Sequence, residues 1–163
     1  MTEWEDRRRK AIQGGGDLGE RKALEWADST GVTLIRFGFD HIENPIPSHA
    51  FGRIPPMIRS APDFIAVPES SFKAAFWLEA KTFNGGQFQF KLRDFGNYRL
   101  WQESTSMGFY LYLFDIYLQE HKCVHLDSFK AEIEKGTVEI RRMDGYKKCF
   151  LFESDWLTDA SVV

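Results

Sequence analysis

Pro62-Asp63-Phe64-Ile65-Ala66-Val67, a turn around Pro68 to Ser71, and then Ala74-Ala75-Phe76-Trp77-Leu78-Glu79-Ala80-Lys81-Thr82-Phe83 read together as a β-hairpin. Side chains two apart on a strand point to one face, so Glu79 and Lys81 project together while Leu78 and Ala80 face the other way. An acid and a base inside an otherwise apolar strand need a reason. Burying either without a partner costs several kcal/mol. One reason is a cross-strand ion pair on a solvated sheet face. The other is a metal site: in a hairpin Asp63 lies beside Glu79, and two adjacent carboxylates repel unless a proton or a cation is shared between them. Mg²⁺ suits such a pair, because it prefers oxygen ligands and asks for only one or two protein carboxylates.

The pattern on either side predicts the rest of the fold. Upstream, Asp17 and Glu20 have capping-box spacing, Leu18, Ala23, Leu24 and Ala27 form an apolar stripe, and Gly31 is a stop, which predicts a helix over 18–29. Val32 to Phe37 reads as a strand. Residues 41–61 are rich in Pro, Gly and His without a steady period, which predicts a long functional loop or loose projection. Downstream, Asp94 can cap a helix running to Ser106 and ended by Gly108, and Phe109 to Leu118 suits a buried strand. A helix over 128–135 and strands over 137–142 and 146–152 complete the chain. Residues 1–16, with Arg7-Arg8-Arg9-Lys10 and Gly14-Gly15-Gly16, read as a flexible basic arm, and 17–163 as one domain.

Composition narrows the function classes. The chain has 163 residues, of which 43% are apolar and 15 are Phe, enough for one sizeable core. A net charge of −3 argues against coating nucleic acid by bulk electrostatics, so any DNA contact must be local. Basic residues do cluster, at Lys91 with Arg93, at Arg141-Arg142 and at Lys147-Lys148, and such clusters also occur as plain solvated faces. No apolar run is long enough for a membrane helix and the first residues are charged rather than a leader, so a soluble cytoplasmic protein without membrane contact is expected. Two cysteines, Cys123 and Cys149, fit free thiols.

Pro62-Asp63, a hairpin-length gap and Glu79-Ala80-Lys81, flanked by helices, resemble the signature of the PD-(D/E)XK nucleases over about Gly19 to Leu118. That resemblance implies an α/β, restriction-endonuclease-like fold with a mixed central sheet between helices. It implies that Asp63 and Glu79 bind Mg²⁺ or Mn²⁺, that the carbonyl of Ala80 adds a ligand, that Lys81 assists the nucleophilic water, and that Glu20 completes the site. From the residues alone, Glu20 is equally a capping-box side chain. After Lys81, the stretch Phe83 to Phe90, then Asn97-Tyr98 with Trp101-Gln102, then Met107 to Leu113, is similar to the RecU-type Holliday junction resolvases, although their His-Gln pair is missing and this chain is shorter. The resemblance implies DNA, in particular a four-way junction, as substrate; two symmetric nicks call for two active sites and so a homodimer, and the small size and Phe-rich strands suit a phage or mobile-element protein. A repair, end-processing or restriction nuclease, or a catalytically silent DNA-binding protein on the same fold, is the alternative.

Two further groups complete the expectations. Arg53 and Arg59, in the Pro-rich loop with Phe51, together with Lys91 and Arg93, are candidate nucleic-acid contacts. His121, Cys123 and His125 alternate on a strand-like stretch and would face one side as soft metal ligands, or serve as ordinary strand residues.

Overall fold

The computed structural model describes residues 17–38, 46–143, 145 and 147–161. The expected N-terminal arm lies outside the described residues. In chain order the elements are helix α1 (Asp17–Thr30), β1 (Val32–Arg36), one-turn helices α2 (Ser48–Phe51) and α3 (Pro56–Arg59), β2 (Phe64–Pro68), β3 (Phe76–Phe83) and β4 (Gln87–Lys91). Helix α4 (Leu92–Thr105), β5 (Phe109–Asp115), β6 (Glu120–His125), helix α5 (Leu126–Glu134), β7 (Glu139–Arg142), β8 (Lys148–Glu153) and helix α6 (Ser154–Ala160) follow.

Five strands form the main sheet in the order β1-β2-β3-β5-β6. The expected hairpin is present, with Phe64 opposite Leu78 and Ala66 opposite Phe76. The β3–β5 pair is parallel, from Trp77 beside Phe109 to Phe83 beside Asp115, and every other pair in the sheet is antiparallel. This is the mixed central sheet expected from the sequence. Parallel neighbours need a long crossover, which α4 supplies.

Period-two alternation sends β3 to two cores. Leu78 and Ala80 pack with Ala23, Trp26 and Ala27 of α1. Trp77 and Phe83 join Tyr98 and Trp101 of α4, together with Phe88, Phe90, Phe150 and Phe152 from a second, three-stranded antiparallel sheet, β4-β8-β7. Gly31, at φ +67°, ends α1 in a left-handed conformation that glycine adopts without a steric penalty.

The structure departs from the pattern reading in several places. Residues 41–61 are not wholly loop: the described part holds α2 and α3, and Trp101 Nε1 donates to the Met57 carbonyl at 3.0 Å, which ties that segment to α4. Helix α4 begins before Asp94, which sits in its first turn, and it ends at Ser106, left-handed at φ 54°, two residues before Gly108. Strand β4 and helix α6 carried no period long enough to be read as elements. Cys123 and Cys149 are free and buried.

Candidate active site

The last rung between β2 and β3 joins Phe64 to Leu78, and β3 then runs on to Phe83 with β5 as its only strand partner among the described residues. Its other edge therefore lies open from Glu79 onward. Asp63, one residue before β2, takes over the ladder there: its Oδ2 accepts the Ala80 N–H at 2.8 Å, and its own N–H donates to Glu79 Oε2 at 3.2 Å. Helix α1 closes on the same edge. Gly19 faces the β3 backbone, where an added Cβ would make ordinary van der Waals contact with the Lys81 carbonyl carbon and Thr82 Cγ2 at 3.4 Å, and Glu20 follows it.

Glu79 is only 6% exposed. Its Oε1 accepts from Lys81 Nζ at 2.6 Å and from Tyr98 Oη at 2.8 Å. With the bond from Asp63 that makes three donors on a carboxylate that can accept about four. The Tyr98 ring is itself fixed, stacked on Phe109 at 4.7 Å between centroids. Lys81 keeps about a third of its side chain exposed and lies 5.9 Å from the Tyr98 ring centroid.

Charge in this pocket is strongly perturbed. Burial pushes the Asp63 carboxyl well above its ordinary range, and the Glu79 charge adds to the effect, with Lys81 opposing it. Burial by itself would pull the Lys81 ammonium down, but Glu79 and its neighbours outweigh that and hold it well above the ordinary lysine range. Burial, then the charge of Glu79, also raises the Tyr98 hydroxyl.

Asp63, Glu79 and Lys81 line one cleft of about 300 Å³, with Arg59 and Ser60 on one wall and Arg93, Asp94, Asn97 and Tyr98 on another. Arg59 stacks its guanidinium 4.6 Å from the Phe51 centroid, and its Nε is buried with no hydrogen-bond partner among the described residues. Such a donor beside an acidic pair is a place for a phosphate oxygen.

The sequence-derived residues divide accordingly. Asp63, Glu79 and Lys81 come together, Arg59 and Arg93 line the same cleft, and Lys91 lies beyond it on β4. Arg53 is exposed in the turn between α2 and α3. Glu20 is close enough for its charge to raise Asp63, but its carboxylate is tied to Arg36 in an ion pair. Among the described residues no three Asp, Glu, His or Cys side chains converge at metal-ligand spacing. The donor set thus fits a cation that asks for two carboxylates and completes its shell with water, as Mg²⁺ does.

The alternating trio on β6 is otherwise engaged. His121 stacks on Tyr112 at 5.5 Å, burial pushes the Cys123 thiol up to about 12, and His125 Nδ1 accepts from Asp127 N–H at the start of α5. In sequence Tyr98 stands out only within the resemblance and Asp94 only as a helix cap. A buried tyrosine two turns into a helix carries no sign in sequence that it faces a carboxylate.

No family model matches the sequence, and no curated protein matches it. Among solved structures, a Holliday junction resolvase, Hjc, from the hyperthermophilic archaeon Archaeoglobus fulgidus superposes with a TM-score of 0.55 at 13% identity, covering 90% of this chain and 91% of that one. D212, a nuclease from a fusselovirus, aligns with a TM-score of 0.46 at 6% identity, over 96% of this chain and 87% of that one. The mixed five-stranded sheet flanked by helices is therefore the restriction-endonuclease-like fold of the archaeal resolvase.

Proposed function

We propose that this protein is a divalent-metal-dependent endodeoxyribonuclease that cuts branched DNA, a four-way junction above all, as a homodimer whose nuclease domain spans 17–163. The observation that carries the reading is the pair of half-buried Asp63 and buried Glu79, bridged through backbone N–H groups, with Lys81 on Glu79 and, in the same cleft, an Arg59 Nε that has no partner among the described residues. An acid pair of this kind, with Asp63 held toward its neutral form, is relieved by a cation.

Asp63 and Glu79 would hold Mg²⁺ or Mn²⁺, with the Ala80 carbonyl and Glu20 as further candidate ligands, Glu20 only after leaving Arg36. When bound, the ion polarises a phosphodiester and lowers the pKa of a coordinated water. The protein's own contribution is positional. Tyr98 and the Asp63 backbone fix Glu79, Lys81 offers its ammonium to the attacking water or the developing charge, and Arg59 and Arg93 clamp phosphate oxygens on the walls of the cleft. A homodimer suits a four-way junction, since paired nicks call for two equivalent sites.

The test is a labelled four-way junction, a linear duplex, a flap and single-stranded DNA, each incubated with and without Mg²⁺. Metal-dependent cleavage that favours the junction supports the reading. Equal cleavage of duplex and junction leaves a repair, end-processing or restriction nuclease. Binding without cleavage of any of the four, in Mg²⁺ or Mn²⁺, leaves a silent DNA-binding protein.

A further inference from the structure

We infer that the outer face of the β4-β8-β7 sheet is a second DNA-contact surface, over which Lys91, Lys147 and Arg141 carry the sugar–phosphate backbone of one arm of the substrate away from the cleft. The inference rests on the nuclease reading above and names where the rest of the substrate lies.

Register supplies the first argument. Lys91 is paired with Cys149, and Cys149 with Arg141, so these three residues form one row across the sheet. Directly paired residues share a face, and Phe88, Phe90, Phe150 and Phe152 turn to the opposite, core side. Lys91 and Arg141, fifty positions apart in sequence, therefore stand on the same face, on either side of the buried Cys149. Lys147 joins them. Burial, with the charges of Lys147, Lys81 and Arg93, pulls the Lys91 ammonium below its usual range, against the opposing charge of Asp94. Four cations near one another in an acidic chain repel, and a polyanion relieves that repulsion.

Continuity supplies the second. A groove of about 360 Å³ opens beside the active cleft, lined by Lys81, Thr82, Gln87, Gln89, Lys91 and Asp94. Lys81 and Asp94 line both hollows, so the groove leads from the acidic pair directly onto β4. Amides and ammonium groups that bind backbone oxygens without reading bases suit an enzyme that recognises shape. Arg141 is paired at 2.9 Å with Glu139 on its own strand, but both are half exposed, and an exposed pair of this kind is worth little against a phosphate.

The experiment measures affinity for a labelled four-way junction across a salt series, with Ca²⁺ present and again in chelator, for wild type, for the double variant Arg141→Ala/Lys147→Ala, and for a control, Lys130→Ala/Lys135→Ala, on α5 and at its C-terminal cap. The control removes the same net charge from residues with exposed side chains outside the β4-β8-β7 sheet. Loss of two phosphate contacts should weaken binding roughly tenfold near physiological salt and flatten the slope of log affinity against log salt by close to 2, about 0.9 per contact. The control should keep the wild-type slope. A wild-type slope in the Arg141/Lys147 variant, or an equal fall in the control, overturns the inference while leaving the nuclease reading intact. Wild-type protein that binds the junction in neither condition overturns both.

Discussion

Glu79 accepts the backbone N–H of Asp63 at 3.2 Å, so two acids sixteen positions apart are coupled through main chain rather than through mobile side chains alone. The coupling occurs immediately beyond the last rung of the β2–β3 ladder, where the sheet would otherwise leave open edge donors. A site built this way is preorganised by the strands themselves, which is what positioning chemistry demands. It is also electrostatically uncomfortable without a cation, and that discomfort is measurable.

Asp63 binds its proton more tightly folded than unfolded, so its contribution to the stability of the metal-free protein is greatest at low pH and is lost as pH rises from the ordinary carboxylate range through the raised value. Asp63→Asn removes the charge and can still accept from Ala80. In chelator, the variant should therefore melt higher than wild type at pH 8 and lose its advantage near pH 4. Thermal melts at the two pH values check this. Mg²⁺ should raise the wild-type melting temperature at pH 8 and leave the variant almost unchanged; a variant stabilised equally by Mg²⁺ would remove Asp63 from the ligand set.

Lys81→Ala should lower cleavage by about 10²–10³-fold, the usual scale for losing one preorganised donor at a reacting centre. DNA affinity should change little, because one positive charge among several contributes modestly to binding. Single-turnover rates beside a binding isotherm separate the two effects. Near-wild-type turnover would make the 2.6 Å Lys81–Glu79 contact a purely structural ion pair.

Much of this site was legible because its chemistry sits on a strand with strict alternation. Leu78 and Ala80 toward α1, and Glu79 and Lys81 on the other side, follow from period two alone. Asp63 followed from the hairpin. The cleft's other walls had no such signal: Arg59 reaches it from a one-turn helix in a Pro-rich stretch, and Tyr98 from a helix whose polar and apolar residues alternate too irregularly to show which face is inward. The pairing of β4 with β8, sixty positions later, depends on long-range register that a single sequence does not display. Glu20 shows the opposite case, a residue placed near the site whose carboxylate is committed elsewhere, to Arg36.

Stability has its own buried acid. Asp115 is fully buried, and its Oδ1 accepts the backbone N–H groups of Gly85, Tyr117 and Leu118 at 2.9–3.1 Å, joining the β3–β4 turn to the β5–β6 turn. Asp115→Ala would orphan three donors, and a destabilisation of about 3 kcal/mol or more is expected in chemical denaturation. Asp115→Asn, which keeps an acceptor, should lose less. Equal losses in the two variants would show that the carboxylate charge, not the three acceptor contacts, holds the turns together.

Substrate choice should separate the two arginines of the Pro-rich segment. Arg59 lies in the cleft with an Nε that has no partner among the described residues, so Arg59→Ala should weaken junction and duplex alike by removing a phosphate contact within the cleft. Arg53 is exposed in the turn between α2 and α3, away from the acids, and gains a phosphate only where a second DNA arm passes over that segment. Arg53→Ala should therefore weaken junction binding several-fold more than duplex binding, compared at one salt concentration because the electrostatic contribution scales with salt. A dimer acting on the same junction should leave paired nicks at symmetric positions on opposing strands, each protomer facing an equivalent strand across the two-fold axis. Equal effects of Arg53→Ala on both substrates, together with unpaired nicks, would assign the protein to duplex processing, because neither the segment nor the symmetry would then be reading a branch.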